Sequence, residues 1–472
     1  MAKRKKSRQK KRKGKLTRAQ YEKLLIKEIF DPPEVTADPE YYENFKALIT
    51  MTGYFKSVRQ QDAVDRKKIR TYLISNRDGD FEILLSDAEF QFVYSQCEDE
   101  LKTERRIAEK ALREREKYLT RKSFGPISGY TVGFRRKMGR VVAPLQYVIQ
   151  MHVPCKHPDS SFERLGLRKF PRSVSTTWYG KKIRVPIKVI ETCPEFAIAN
   201  SSYEGVFADG TPDVQYIDPD KGTLVGGDPI APEGAKKKWG TFGMKIPDAN
   251  NGLVGVTNAH VVAKNESEFP GDKLNVCNPP GGDVFANVKE EDWSFKKTGK
   301  LDADAALLRI KPGTNASGDI LGFPKNVEFL FLSNFIQEEH VQVFKFGAAT
   351  QERKRGIIEN RNFDSLSVSG RKFGPVLQIK GYSNKTIIDQ GDSGSVLVAP
   401  VRDKKNDEKN AFLIVGLVFA MKKNDPSIAY ACHWKCVAKR LNIVVKQELL
   451  RSASEVTLLG HQEKSGDWFN GA

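Results

Sequence analysis

The stretch Asp389-Gln390-Gly391-Asp392-Ser393-Gly394-Ser395-Val396-Leu397-Val398 sets a Gly-Asp-Ser-Gly core directly before an apolar, β-branched run. Small residues let the backbone turn sharply there, so that a serine hydroxyl can point out of the turn. The same turn leaves the N–H groups of Gly391 and Ser393 available to a developing oxyanion. Gly-Asp and Ser-Gly pairs also make ordinary turns. A nucleophilic reading of Ser393 therefore needs partners elsewhere in the chain.

The first partner is a base. His260 follows Gly255-Val256-Thr257-Asn258-Ala259 and precedes Val261-Val262, a frame of small residues around one of only six histidines. Taken alone it reads more readily as a satisfied core histidine than as a base. The second is a carboxylate that would fix the imidazole tautomer. Asp304-Ala305-Ala306-Leu307-Leu308-Arg309-Ile310 offers one at the mouth of a buried strand, with Asp302 as its rival.

The order His, Asp, Ser resembles that of the chymotrypsin-fold serine proteases. Thr257-Asn258-Ala259-His260, Asp304-Ala305-Ala306-Leu307-Leu308 and Gly391-Asp392-Ser393-Gly394-Ser395 are similar to the histidine, aspartate and nucleophile motifs of that family. The second of these selects Asp304 over Asp302. Phe346-Gly347-Ala348-Ala349-Thr350 and Gly356-Ile357-Ile358 resemble the opening of its second barrel. A looser resemblance joins Gly133-Phe134, Val148-Ile149-Gln150, Val185 to Glu191 and Gly240-Thr241-Phe242-Gly243 to plant and bacterial trypsin-like proteins of the narrow-leaf type.

These resemblances imply a mainly β, double-barrel fold and cofactor-free peptide hydrolysis through His260, Asp304 and Ser393, with Gly391 and Ser393 amides as the oxyanion hole. The pocket floor falls on Ile387, six before the nucleophile, facing Phe419, Ala420 and Met421. An apolar preference follows, because a buried substrate cation would lack a partner there, unless Asp389 lies close. Two departures stand out. Val261, not Cys, follows His260, and no Arg-Ile-Val-Gly-Gly-type activation site supplies a new N-terminus for Asp392.

Around this core the chain divides by composition. Residues 1–15 form a basic tail in which Lys3 to Lys15 holds ten Lys or Arg and no acid, about half of the formal net charge of +19. Such a cluster suits a nuclear import receptor or non-specific nucleic acid, or stays a solvated tail. Residues 16–122 read as helical, with helices over about 16–30 and 41–55, a capped start at Ser86-Asp87-Ala88-Glu89, and a solvent-facing helix over Glu98 to Lys117. Residues 123–210 read as a β-rich lead-in and 211–238 as a Gly/Pro/Asp-rich connector. Residues 239–450 carry the barrels, with strands expected over 240–246, 253–262, 305–310, 341–346, 355–359, 376–380, 395–398, 412–419 and 428–431. A closing helix at 435–442 and a polar tail over 451–472 complete the chain.

No apolar run approaches a membrane span, and no apolar secretory segment opens the chain, so an intracellular location, nuclear or cytoplasmic, is expected. Six cysteines are too sparse for a disulfide scaffold. Cys432-His433…Cys436 and Cys155…His157 carry metal-ligand types but lack a repeated partner pair, so buried thiols are expected and no metal. The leading reading is a serine endopeptidase. Its rivals are a catalytically silent scaffold or nucleic-acid-associated protein using the basic arm, and a protease that cleaves only itself.

Overall fold

The computed structural model describes residues 83–85, 90, 94 and, with gaps of which 198–222 and 264–272 are the longest, 98–459. The basic tail, the helices expected over 16–30 and 41–55, and residues 460–472 lie outside it, as does Ser86-Asp87-Ala88-Glu89.

The lead-in is a four-stranded sheet covered by one helix. Helix α1 (Glu98–Leu119) lies on β1 (Gly129–Phe134), β2 (Tyr147–Val153), β3 (Ser173–Trp178) and β4 (Lys181–Glu191), in the order β1-β2-β4-β3. The expectation of a solvent-facing helix fails here. Leu101, Ile107, Ala108, Ala111 and Leu119 are buried in one cluster with Val132, Ile149 and Met151 of the sheet. Two alanines make a stripe that is narrow yet close-packing, which a count of large apolar residues does not register. Burying Leu101 and Ile107 contributes roughly 1.5–3 kcal/mol each relative to exposure. Polar ends are tied as well: Thr176 Oγ1 donates to Glu114 at 2.8 Å and Tyr130 Oη to Glu116 at 2.5 Å.

After β4 the chain makes a short strand, β5 (Pro194–Phe196), that leaves the lead-in sheet for another partner. The next described segment begins the first barrel. Here β6 (Pro229–Pro232), β7 (Met244–Asp248), β8 (Gly252–Thr257), β9 (Lys273–Asn278), β10 (Asp283–Lys289) and β11 (Ala306–Ile310) pair antiparallel in the order β6-β9-β10-β11-β8-β7, a curled half-barrel. Strand β6 falls within the segment read as connector, where Ala231 and Pro232 pair with Cys277 and Val276. The strand expected over 253–262 ends at Thr257, and Ala259–Val262 turns into a short helix, α2.

The second barrel contains β12 (Gln342–Phe346), β13 (Arg353–Phe363), β14 (Val376–Gly381), β15 (Val396–Asp403), β16 (Lys409–Lys422) and β17 (Asp425–His433). Its pairings run β12-β13-β14-β17-β16-β15 and return to β12 through Phe344 and Val398, closing a six-stranded barrel. Closure leaves none of these six strands as an open edge within the ring. Glu328–Leu332 adds in parallel beside β16, and Val456–Leu458, in the segment read as tail, pairs with β15. Helix α3 (Trp434–Arg440) packs after β17. The fold is therefore mainly β with two barrels, as the motifs implied. Among the described residues no helix is long and apolar enough to cross a membrane.

Candidate active site

Strand β8 ends at Thr257, whose hydroxyl donates to the Thr241 carbonyl at 2.8 Å, and the chain turns at once into α2. The indole N–H of Trp293 lies 3.1 Å from the carbonyls of both Ala259 and Ala263, which pins this single turn at either end. His260 is thereby held at the mouth of the first barrel, fully buried. Its Nδ1 lies 2.6 Å from Asp304 Oδ2 and its Nε2 2.9 Å from Ser393 Oγ. A carboxylate can only accept, so Nδ1 carries the proton and the Nε2 lone pair faces the serine.

Asp304 precedes β11 and is itself anchored on every side. Its Oδ1 accepts the His260 backbone N–H at 3.3 Å, its carbonyl accepts Asn258 Nδ2 at 2.7 Å, and its own N–H points at Cys432 Sγ at 3.1 Å. Burial, helped by the Asp304 charge, pushes the Cys432 thiol well above its ordinary range, so it stays protonated. Asp302 makes no such contact with the imidazole, and Asp304 alone of the two candidates hydrogen-bonds it. His433 Nε2 bonds to the Arg361 carbonyl at 2.7 Å. Among the described residues no three His, Cys, Asp or Glu side chains converge as metal ligands, and the described cysteines are free thiols.

The turn that carries Ser393 needs its glycines. Gly394 has φ +101°, and a Cβ on it would collide with the Thr241 carbonyl oxygen. Gly391 has φ +113° and abuts the Trp239 ring. In this turn the amides of Gly391 and Ser393 converge on one point, and that point is occupied. Both donate to the carbonyl oxygen of Ala197, at 2.8 Å and 3.0 Å. Ser393 Oγ also lies 3.0 Å from the Phe419 carbonyl, so its one proton has two acceptors, that oxygen and His260 Nε2.

Ala197 arrives on β5, which pairs antiparallel with β16: Phe196 lies opposite Ala420, Glu195 opposite Met421 and Pro194 opposite Lys422. The Ala197 N–H donates to the Phe419 carbonyl at 3.2 Å. The Phe196 ring stacks on the His260 ring, 4.1 Å between centroids at 18°. Ala197 is fully buried and shares an apolar cluster with Ile387 and Met421. Phe419 and Ala420 belong to a different cluster, in which Phe419 packs on Phe373 at 5.0 Å. The four residues expected to line one pocket are thus divided two and two, because a register shift between Val418 and Ala420 disturbs the strand alternation. Asp389 is exposed and accepts the Gln390 N–H at 2.7 Å.

Asp392 has a partner that sequence reading missed. Lys345 of β12, fully buried, donates its ammonium to Asp392 Oδ2 and, at 3.1 Å, to Thr350 Oγ1. Asp392 Oδ1 accepts the amides of Ala349 and Thr350, each at 3.0 Å, and Oδ2 accepts that of Asp389 at 2.9 Å. Burial pulls the Lys345 ammonium below its usual range while the Asp392 charge works against that loss. A charged internal side chain thus meets Asp392 where the sequence offered no new N-terminus. The only signal for it was one cation inside the apolar run Val341-Gln342-Val343-Phe344-Lys345-Phe346.

One half-barrel carries the imidazole and carboxylate, one closed barrel carries the serine, and the three meet at the seam. The fold is chymotrypsin-like. No protein-family model matches the chain, and no curated protein matches it by sequence. Among solved structures the chain is similar to a glutamic acid specific serine protease, at 13% identity over 47% of this chain and 100% of that one, TM-score 0.34. It is also similar to protease A of Thermobifida fusca, at 12% identity over 48% and 100%, TM-score 0.32. A third is the Rv3671c protease of M. tuberculosis, in its active form, at 20% identity over 46% and 81%, TM-score 0.29. Each of these comparisons covers about half of this chain.

Proposed function

We propose that this protein is a serine endopeptidase. The observation that carries the reading is a single relay, Asp304 to His260 to Ser393, beside two backbone amides that already hold a peptide carbonyl. In this reading Ser393 Oγ attacks a peptide carbonyl carbon and passes its proton to His260 Nε2. Asp304 holds the imidazole in the productive tautomer and stabilises the imidazolium. The Gly391 and Ser393 amides take the oxyanion, and His260 returns the proton to the leaving amine. Water then hydrolyses the acyl-enzyme. No cofactor enters this scheme.

Ile387 and Met421, which share a buried apolar cluster with an alanine side chain, support a preference for small apolar residues before the cut. The basic run Lys3 to Lys15 supports an intracellular, nuclear address or contact with nucleic acid through phosphates. The test uses the variant Ala197→Glu, which sets an unpaired carboxylate in the apolar site and expels β5. A fluorophosphonate probe should label it, with labelling lost when Ser393→Ala is added. No labelling at any pH from 6 to 9 overturns the reading in favour of a silent scaffold.

A further inference from the structure

We infer that the segment Pro194–Ala197 is this site's own first substrate, and that Ser393 cuts the Ala197–Ile198 bond within the same molecule. The inference rests on the peptidase reading above and adds to it the identity of the bond.

A strand that merely filled a groove could satisfy its backbone in many registers. This one is held in a single register, with the Ala197 carbonyl on the two amides beside Ser393. Residues 194–196 extend β16 as an antiparallel strand, which fixes the direction of the chain across the site. The Ala197 N–H is held by Phe419 O at 3.2 Å, and the Ala197 carbonyl oxygen by the two amides beside the nucleophile at 2.8 Å and 3.0 Å. Three hydrogen bonds on one residue leave its carbonyl little freedom to turn away. The Ala197 methyl is fully buried in the cluster of Ile387 and Met421, and the Phe196 ring lies flat on the imidazole that would move the proton. Residue 198 is isoleucine, not proline, so the departing nitrogen is an ordinary peptide N–H.

The chemistry balances with water as the one added reactant. Ser393 Oγ bonds to the Ala197 carbonyl carbon as its proton passes to His260 Nε2. The Ala197–Ile198 C–N bond then breaks, and His260 delivers that proton to the Ile198 nitrogen. Water attacks the Ser393 ester through the same base, the ester C–O bond breaks, and Ala197 is left as a carboxylate with Ser393 restored. One product carries α1, the four-stranded sheet and β5; the other carries both barrels. Pairing of β5 with β16 keeps the first product seated, so each site turns over its own segment once.

Cell-free synthesis of the full chain, followed by intact mass and N-terminal sequencing, tests this. The expected result is two fragments that co-elute, the larger beginning at Ile198. Their formation should be first order, with a half-time unchanged over a hundredfold dilution, while Ser393→Ala stays at 53.1 kDa. Cleavage at another bond, or a rate that scales with concentration, overturns the inference. An uncut wild-type chain also overturns it. In that case labelling of Ala197→Glu, or of Phe196→Asp as a second variant that loosens β5, shows that the peptidase reading survives. Absence of both cleavage and labelling defeats both.

Discussion

The buried pair Lys345–Asp392 gives the sharpest test of how the Ser393 turn is held. Replacing Lys345 with methionine nearly keeps the length of the side chain and removes the ammonium that meets the fully buried Asp392 carboxylate. Three backbone amides would remain on Asp392, those of Ala349, Thr350 and Asp389, but none carries a full charge. Breaking a buried pair by removing one partner costs about 3–5 kcal/mol. At roughly 2–4 °C per kcal/mol for a domain of this size, the barrel transition should fall by about 6–20 °C. Calorimetry on Lys345→Met in a Ser393→Ala background, which stays uncut, measures this directly. Adding Asp392→Asn should recover part of the loss: its amide oxygen still serves Ala349 and Thr350, while its NH2 faces the Asp389 N–H without an acceptor. A transition within about 2 °C of the Ser393→Ala parent would refute the argument that this ammonium compensates the carboxylate.

Other consequences can be measured with the same material. Asp304→Asn should slow formation of the Ile198 fragment by about 10⁴-fold, because the imidazole loses its tautomer lock, as followed by quantitative mass spectrometry. His152 is buried against Phe363 with Nδ1 at 2.8 Å from Thr192 Oγ1, and burial lowers its pKa to about 3. Its folded pKa is depressed, so the unfolded chain takes the proton first; the stability is present above about pH 6.5 and is lost as pH falls toward 3. Urea unfolding of Ser393→Ala should show a loss of roughly 2.5 kcal/mol between pH 7 and 4.5 from this group, and His152→Gln should flatten that slope. Deleting Met1 to Lys15 should redistribute the protein in cells, seen by microscopy, and leave fragment formation unchanged; a matching loss of cleavage would tie the tail to the site.

The three residues of the relay were legible because each sits in a local frame of small or apolar neighbours that a turn or strand end demands. Thr257-Asn258-Ala259-His260 and Gly391-Asp392-Ser393-Gly394 each announce their backbone geometry within four residues. Lys345 was not legible, since one cation in an apolar strand acquires its meaning only from a carboxylate 47 residues on. The approach of Ala197 to Gly391 and Ser393 joins segments almost two hundred residues apart, and no periodicity encodes such a meeting. Strands β9 and β10 were missed for a different reason. Lys273–Asn278 and Asp283–Lys289 alternate weakly, with burial running exposed, buried and half-buried, and they are defined by pairing with each other and with β11. Helix α1 was read correctly as a helix and wrongly as solvated, because Ala108 and Ala111 count for little by hydropathy and much by close approach.

The covalent continuity of β5 with the barrels, through the Ala197–Ile198 bond, has a kinetic meaning for any other protein offered to this cleft. A tethered competitor faces the groove at an effective concentration on the order of millimolar. At equal affinity, a free peptide at micromolar level would occupy the groove about a thousandfold less often than the tethered strand. On the peptidase reading, foreign polypeptides would be processed only after that bond is cut and the resident strand has dissociated, and release of the amino-terminal fragment would meter turnover.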